Sequence, residues 1–144
     1  MFTPSQADVR RFFCSVLAKQ RQGLALDPME TLAGYWISQH PEYREDLADE
    51  GLALTRMYDV DAGKTNPFLH LSMHLSLSEQ HRIDQPPGVR SALEHMTHEL
   101  GSEHLAHHEA MEFLGLMVWE SQRSGLPPDG NAYIDGLLKR ATKK

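Results

Sequence analysis

The sequence predicts an all-α fold: a single-domain antiparallel bundle of about five to six helices over residues 1–144. Three observations predict it. Helix-start signals, a capping side chain with a nearby proline, recur along the chain. Apolar residues repeat with the helical period, and no run of β-branched residues alternates with period two. The stretches between periodic segments are short, which favours antiparallel neighbours.

Thr3-Pro4-Ser5-Gln6 offers a cap, a proline at the first helical position and a glutamine three after the cap. The helix that follows is expected to reach about Gln22 and stop at Gly23. Asp27-Pro28-Met29-Glu30 repeats the start signal and opens a helix ending near Gln39, because His40 precedes Pro41 and is driven out of the helical region. A shorter helical piece is expected from Pro41 to Asp49. Residues 50–65, with Gly51, Asp59, Asp61 and Gly63, are predicted to be an irregular loop. Asn66-Pro67 caps a long helix running to about Arg82, and Asp84-Gln85-Pro86-Pro87-Gly88 forms a rigid turn. A helix from Val89 to Leu100 ends at Gly101. Ser102 with Glu103 opens the longest helix, to about Ser124, and Pro127-Pro128-Asp129 introduces a final one through about Ala141.

Composition narrows the function. Hydrophobic residues make up 40% and charged residues 24%, as in a soluble globular domain large enough to bury a core. A net charge of −6 argues against a nucleic-acid partner, which needs clustered Lys and Arg. The one basic cluster, Lys139, Arg140, Lys143 and Lys144, is expected to complement a helix C-terminus. The single cysteine, Cys14, cannot pair within the chain and fits a reducing compartment. The first residues show no signal-peptide pattern, and no apolar run approaches the roughly 18–20 residues of a membrane span. A cytoplasmic protein with no membrane partner is expected. Any protein partner, homo-oligomer included, is left open.

The chemistry lies in histidine. Eight of the nine histidines fall between residues 70 and 108. On the helix from Asn66, with His70 as origin, His74 lies about 40° round and His81 about 20°, so the three form one stripe. His104, His108 and Glu112 form a second stripe on the longest helix, continued by Gly115 and Trp119. Both helices are apolar over most of their surface, which predicts burial of both stripes and of Glu112. Imidazole and carboxylate are ligands of zinc and iron, so a site for Zn or Fe built from His70, His74, His104, His108 and Glu112 is expected. A mononuclear version uses three or four of His70, His74, His108 and Glu112, with His104 or His81 in support. The competing reading of the same residues is a metal-free hydrogen-bond network in a structural or interaction module, with Asp84 to Arg90 as the surface that meets a partner. Between the two stripes, Val89, Leu93, Met96 and Leu100 make an apolar face that turns His95, His98, Glu94 and Glu99 to solvent. His107 is expected to be peripheral. Cys14 is expected to be a structural thiol, and Trp36 and Trp119 core residues.

Other motifs fail. His108-Glu109-Ala110-Met111-Glu112 starts like a zinc-protease helix but has Glu112 where a second histidine belongs. Gly63-Lys64-Thr65 ends like a phosphate-binding loop, but Tyr58 stands in place of its first glycine. His70-x3-His74 and His108-x3-Glu112 are loosely similar to pieces of hemerythrin-like bundles, although their order differs. No histidine follows a glutamate by three residues, so the di-iron Glu-x-x-His pair is missing. No reaction or substrate can be read from these patterns.

Several longer segments carry a resemblance. They are Asn66-Pro67-Phe68-Leu69-His70-Leu71-Ser72-Met73-His74-Leu75, then Ile83-Asp84-Gln85-Pro86-Pro87-Gly88, then His104, His108 with Met111-Glu112, and Trp119 with Gln122-Arg123. Phe2-Thr3-Pro4-Ser5 and His40-Pro41-Glu42-Tyr43 fit as well. Through them the chain resembles a small bacterial family designated domain of unknown function 1841 (DUF1841), over almost its whole length. The resemblance implies a soluble bacterial protein of mostly helical structure and brings no reaction with it.

Overall fold

The computed structural model describes residues 5–58 and 66–142. Every regular element among them is helical. In chain order they are α1 (Gln6–Gln22), α2 (Pro28–Ser38), a 3-10 turn (Pro41–Tyr43), α3 (Arg44–Ala48), α4 (Glu50–Thr55), α5 (Pro67–Ile83), α6 (Val89–Leu100), α7 (Glu103–Ser124) and α8 (Gly130–Thr142). Eight α-helices thus stand among the described residues where about five to six were expected. The chain divides into two compact units, Met1–Leu75 and Ser76–Lys144.

Capping chemistry explains most boundaries. Ser5 caps α1 reciprocally with Asp8; Thr3 and Pro4, which the sequence assigned to this start, lie outside the described residues. Gly23, with φ of 68°, ends α1, and Asp27 with Glu30 forms the expected capping box of α2. The Asn66 carboxamide oxygen accepts from the backbone N–H groups of Phe68 and Leu69. Ser102 and Asp129 cap α7 and α8.

The stretch after Pro41 corrects the sequence reading twice. The single helix expected from Pro41 to Asp49 is a 3-10 turn followed by the five-residue α3. The loop expected from residue 50 begins instead with α4. Asp49 is the cause: its backbone is extended (φ −125°, ψ 105°) and breaks the helix, while its side chain accepts from Leu52 N–H and starts the next one. Asp59, Asp61 and Gly63-Lys64-Thr65 lie outside the described residues.

In the first unit, α1 packs against α2, α3 and α4. Its core holds Phe13, Val16, Leu17, Ala33, Trp36, Ile37, Leu47, Ala53, Phe68 and Leu71. Cys14 is a buried free thiol in this core, and burial pushes its pKa up to about 11. Arg10 is buried too. Its Nη1 donates to the carbonyls of Ala53 and Arg56, each at 2.7 Å, and its guanidinium lies over the rings of Tyr58 and Phe68. A cation thus closes the C-terminus of α4, where the helix dipole favours one.

In the second unit, α6, α7 and α8 pack pairwise on one another. Val89, Leu93 and Met96 are buried as expected, and His95, His98, Glu94 and Glu99 face solvent. Asp84, at φ of 50°, accepts from Gly88 N–H and Arg90 N–H, and Arg90 donates to the carbonyls of His81 and Arg82 at the end of α5. Arg140 pairs with Glu109 and Glu99, which ties α8 to α6 and α7. No helix among the described residues is long and apolar enough to cross a membrane.

Candidate metal centre

In the first unit, three imidazoles converge: His40 after α2, and His70 and His74 on successive turns of α5. Each offers a ring nitrogen, and these atoms lie within 4.8 Å of one another. His40 and His74 are buried, at 4% and 0% exposure, and His70 is half-buried. His70 and His74 were expected together from their four-residue spacing. His40 was missed. It stands alone in sequence, and its available signal was the His-Pro break after the apolar Trp36-Ile37 turn, which places a ring at the end of a buried helix.

The neighbours of these rings fix them. His40 Nδ1 lies 2.8 Å from the Trp36 carbonyl oxygen. A carbonyl only accepts, so Nδ1 is the donor and Nε2 is the nitrogen that a metal would take. This is the backbone contact that orients a metal-ligating imidazole. His74 is stacked on the Trp36 indole, with centroids 4.0 Å apart and planes 14° from parallel. His40 is stacked on Tyr43 at 5.1 Å and meets His70 edge to face at 4.9 Å. His70 Nε2 and His74 Nε2 are 3.2 Å apart. Two imidazole nitrogens on one tetrahedral zinc, with bonds of about 2.0–2.1 Å, would be about 3.3 Å apart. A hydrogen bond between two neutral tautomers would give a similar separation.

In the second unit, His104 and His108 stand on successive turns of α7. Their rings meet edge to face at 4.4 Å, and their ligand nitrogens lie within 4.8 Å of each other. His104 is half-buried and His108 exposed. Glu112 is exposed and is not among the donor groups that come together. The expectation that α7 is buried nearly all round is therefore corrected. Ala106, His107, Ala110, Met111 and Leu114 form its buried face. The stripe from His108 to Trp119 lies about 140° round from the centre of that face. Trp119 is 55% exposed rather than a core residue, with the Arg123 guanidinium over its ring. Trp36, by contrast, is fully buried as expected.

His107, expected to be peripheral, is 1% exposed. Burial, followed by the neighbouring imidazoles of His104, His81 and His108, lowers its pKa to about 3, so the ring is neutral near pH 7. His81 does not join His70 and His74: its Nε2 contacts Glu94 Oε1 at 3.1 Å. The stripe drawn from the sequence is thus divided, with His70 and His74 in the first unit and His81 in the second.

The family model described as Domain of unknown function (DUF1841) matches residues 5–139. Comparison with curated proteins and with solved structures gave no match.

Proposed function

The chain belongs to the family designated domain of unknown function 1841, and we propose that it binds a transition metal, zinc or iron, through histidine. The observation that carries the proposal is the convergence of His40, His70 and His74, with their ring nitrogens within 4.8 Å of one another. Imidazoles are borderline ligands suited to both ions. Three of them would leave at least one coordination position. In the second unit, His104 and His108 offer an i,i+4 pair of the same donor chemistry. With a position left to water or dioxygen, the ion would acidify that water to a pKa of about 7 or bind oxygen, so hydrolysis and oxygen chemistry are the two reaction classes it would serve. The chain's part is to hold the rings: Trp36 sets the His40 tautomer and flanks His74. On its unpaired, buried Cys14, we place the protein in a reducing compartment, the cytoplasm.

One observation favours a second reading. The 3.2 Å contact between His70 and His74 is also that of a hydrogen bond, so a metal-free histidine network would keep the same rings together. Asp84 and Arg90 spend their polar groups on the backbone of the turn and of the end of α5, which leaves them less to offer a docked partner.

Zinc competition against a chromophoric chelator tests the reading. Apparent affinity should fall at least a hundredfold in His40→Ala and in His74→Ala. Affinity unchanged in His74→Ala, with helicity retained, would overturn it.

A further inference from the structure

We infer that the second unit holds a separate site for a divalent transition metal, walled by Glu94 and His98 of α6, Glu103 and His107 of α7, and His81 of α5. Two observations carry it. First, these five side chains line one cavity of about 360 Å³, together with Leu93 and Thr97. Second, they already associate in pairs: His81 Nε2 with Glu94 Oε1 at 3.1 Å, and His107 Nε2 with Glu103 Oε1 at 3.8 Å.

The sequence pattern supplies the chelate. Glu94-x3-His98 and Glu103-x3-His107 place a carboxylate and an imidazole one turn apart on each of two helices that pack together. A glutamate with a histidine at i and i+4 can close on one ion from a single helix, and two facing pairs make a four-donor set. His81 adds a fifth donor from the last turn of α5. Mixed imidazole and carboxylate donors suit zinc, iron and manganese. The setting differs from an ordinary solvated charge face in one respect. His107 is 1% exposed and forms the cavity floor, whereas Glu94, His98 and Glu103 form its rim in solvent. An ion could thus enter from water and meet a ring already held in place. A rim this open makes the site weaker than one enclosed in the core.

The site shares no ligand with the one proposed above, so the two fail separately. The test is equilibrium dialysis of tag-free protein against zinc, with elemental analysis of bound metal. The variants are His81→Ala/His98→Ala, two exposed or half-exposed positions that leave the core untouched, and His74→Ala. Wild type should bind a second zinc, and the His81→Ala/His98→Ala variant should bind it at least tenfold more weakly while the tighter equivalent is retained. In His74→Ala the weaker equivalent should persist. If His74→Ala does not fold, Glu94→Gln/His98→Gln in the otherwise wild-type chain makes the same comparison. A weaker equivalent whose affinity is unaltered in both histidine and glutamine variants, or saturation of wild type at one zinc that depends on His74, overturns the inference.

Discussion

Replacing Asp84 should destabilise the protein through one carboxylate oxygen. Asp84 Oδ1 accepts from Gly88 N–H and from Arg90 N–H, each at 3.1 Å. It does so from a left-handed backbone, φ 50°, that aspartate and asparagine tolerate better than alanine. In Asp84→Ala each N–H loses its acceptor, at about 1 kcal/mol. Residue 90 is exposed and residue 88 half-buried, so water recovers part of this. Alanine in the left-handed region adds about 1 kcal/mol. The sum is about 2–3 kcal/mol, or a fall in Tm of about 6–10 °C for a chain of this size. Asp84→Asn keeps both the acceptor and the backbone tolerance and should lose less than about 1 kcal/mol. Thermal and urea unfolding followed by far-UV circular dichroism measure both. An Asp84→Ala variant within about 0.5 kcal/mol of wild type would refute the reasoning. So would an Asp84→Asn variant as damaged as Asp84→Ala, since the negative charge rather than the acceptor would then be what the fold uses.

Arg10→Met should keep the apolar stem but release the carbonyls of Ala53 and Arg56, lowering stability by about 3 kcal/mol in urea unfolding; a loss under about 1 kcal/mol would show that water replaces the guanidinium. Two glycine substitutions should differ in sign. A Cβ at Gly136 meets Phe113 Cδ1 at 2.7 Å and Cε1 at 3.0 Å, so Gly136→Ala should be destabilised by about 1–3 kcal/mol. At Gly34 the closest atom is the amide end of Gln20, which can swing away, so Gly34→Ala should be neutral or more stable by calorimetry. Cys14, with its pKa raised to about 11, should be less than about 1% thiolate at pH 8. Its alkylation by iodoacetamide should be at least a hundredfold slower than in the urea-unfolded chain, and labelling at the unfolded rate would contradict its burial.

Elements whose boundaries are set by local chemistry were legible in the sequence. Gly23, the Asp27-Pro28 start, Gly101 and Ser102 act through caps and backbone conformation within a few residues, and all four stand where the sequence puts them. Asp49 was missed because an aspartate inside a polar run reads as ordinary helix surface until its backbone turns extended. The pairing of His70 with His74, and of His104 with His108, was legible from four-residue spacing. What was hidden is which face each helix buries. α7 carries apolar residues on several sides, so periodicity could not choose between the stripe of His108 and Glu112 and the stripe of His107 and Met111; packing against α6 and α8 selects the second. His40 was hidden for a related reason. Its partners lie on α5, far along the chain, and no local pattern links a residue after α2 to them.

The central claim is that His40, His70 and His74 hold a metal ion. Its most direct test is elemental mass spectrometry of protein purified without a histidine tag or added metal, beside His74→Ala prepared identically. Near-stoichiometric zinc or iron in wild type, absent from a folded His74→Ala, is the predicted result. Metal-free wild type that takes up neither ion on incubation would contradict the claim and leave the three imidazoles as a hydrogen-bonded core.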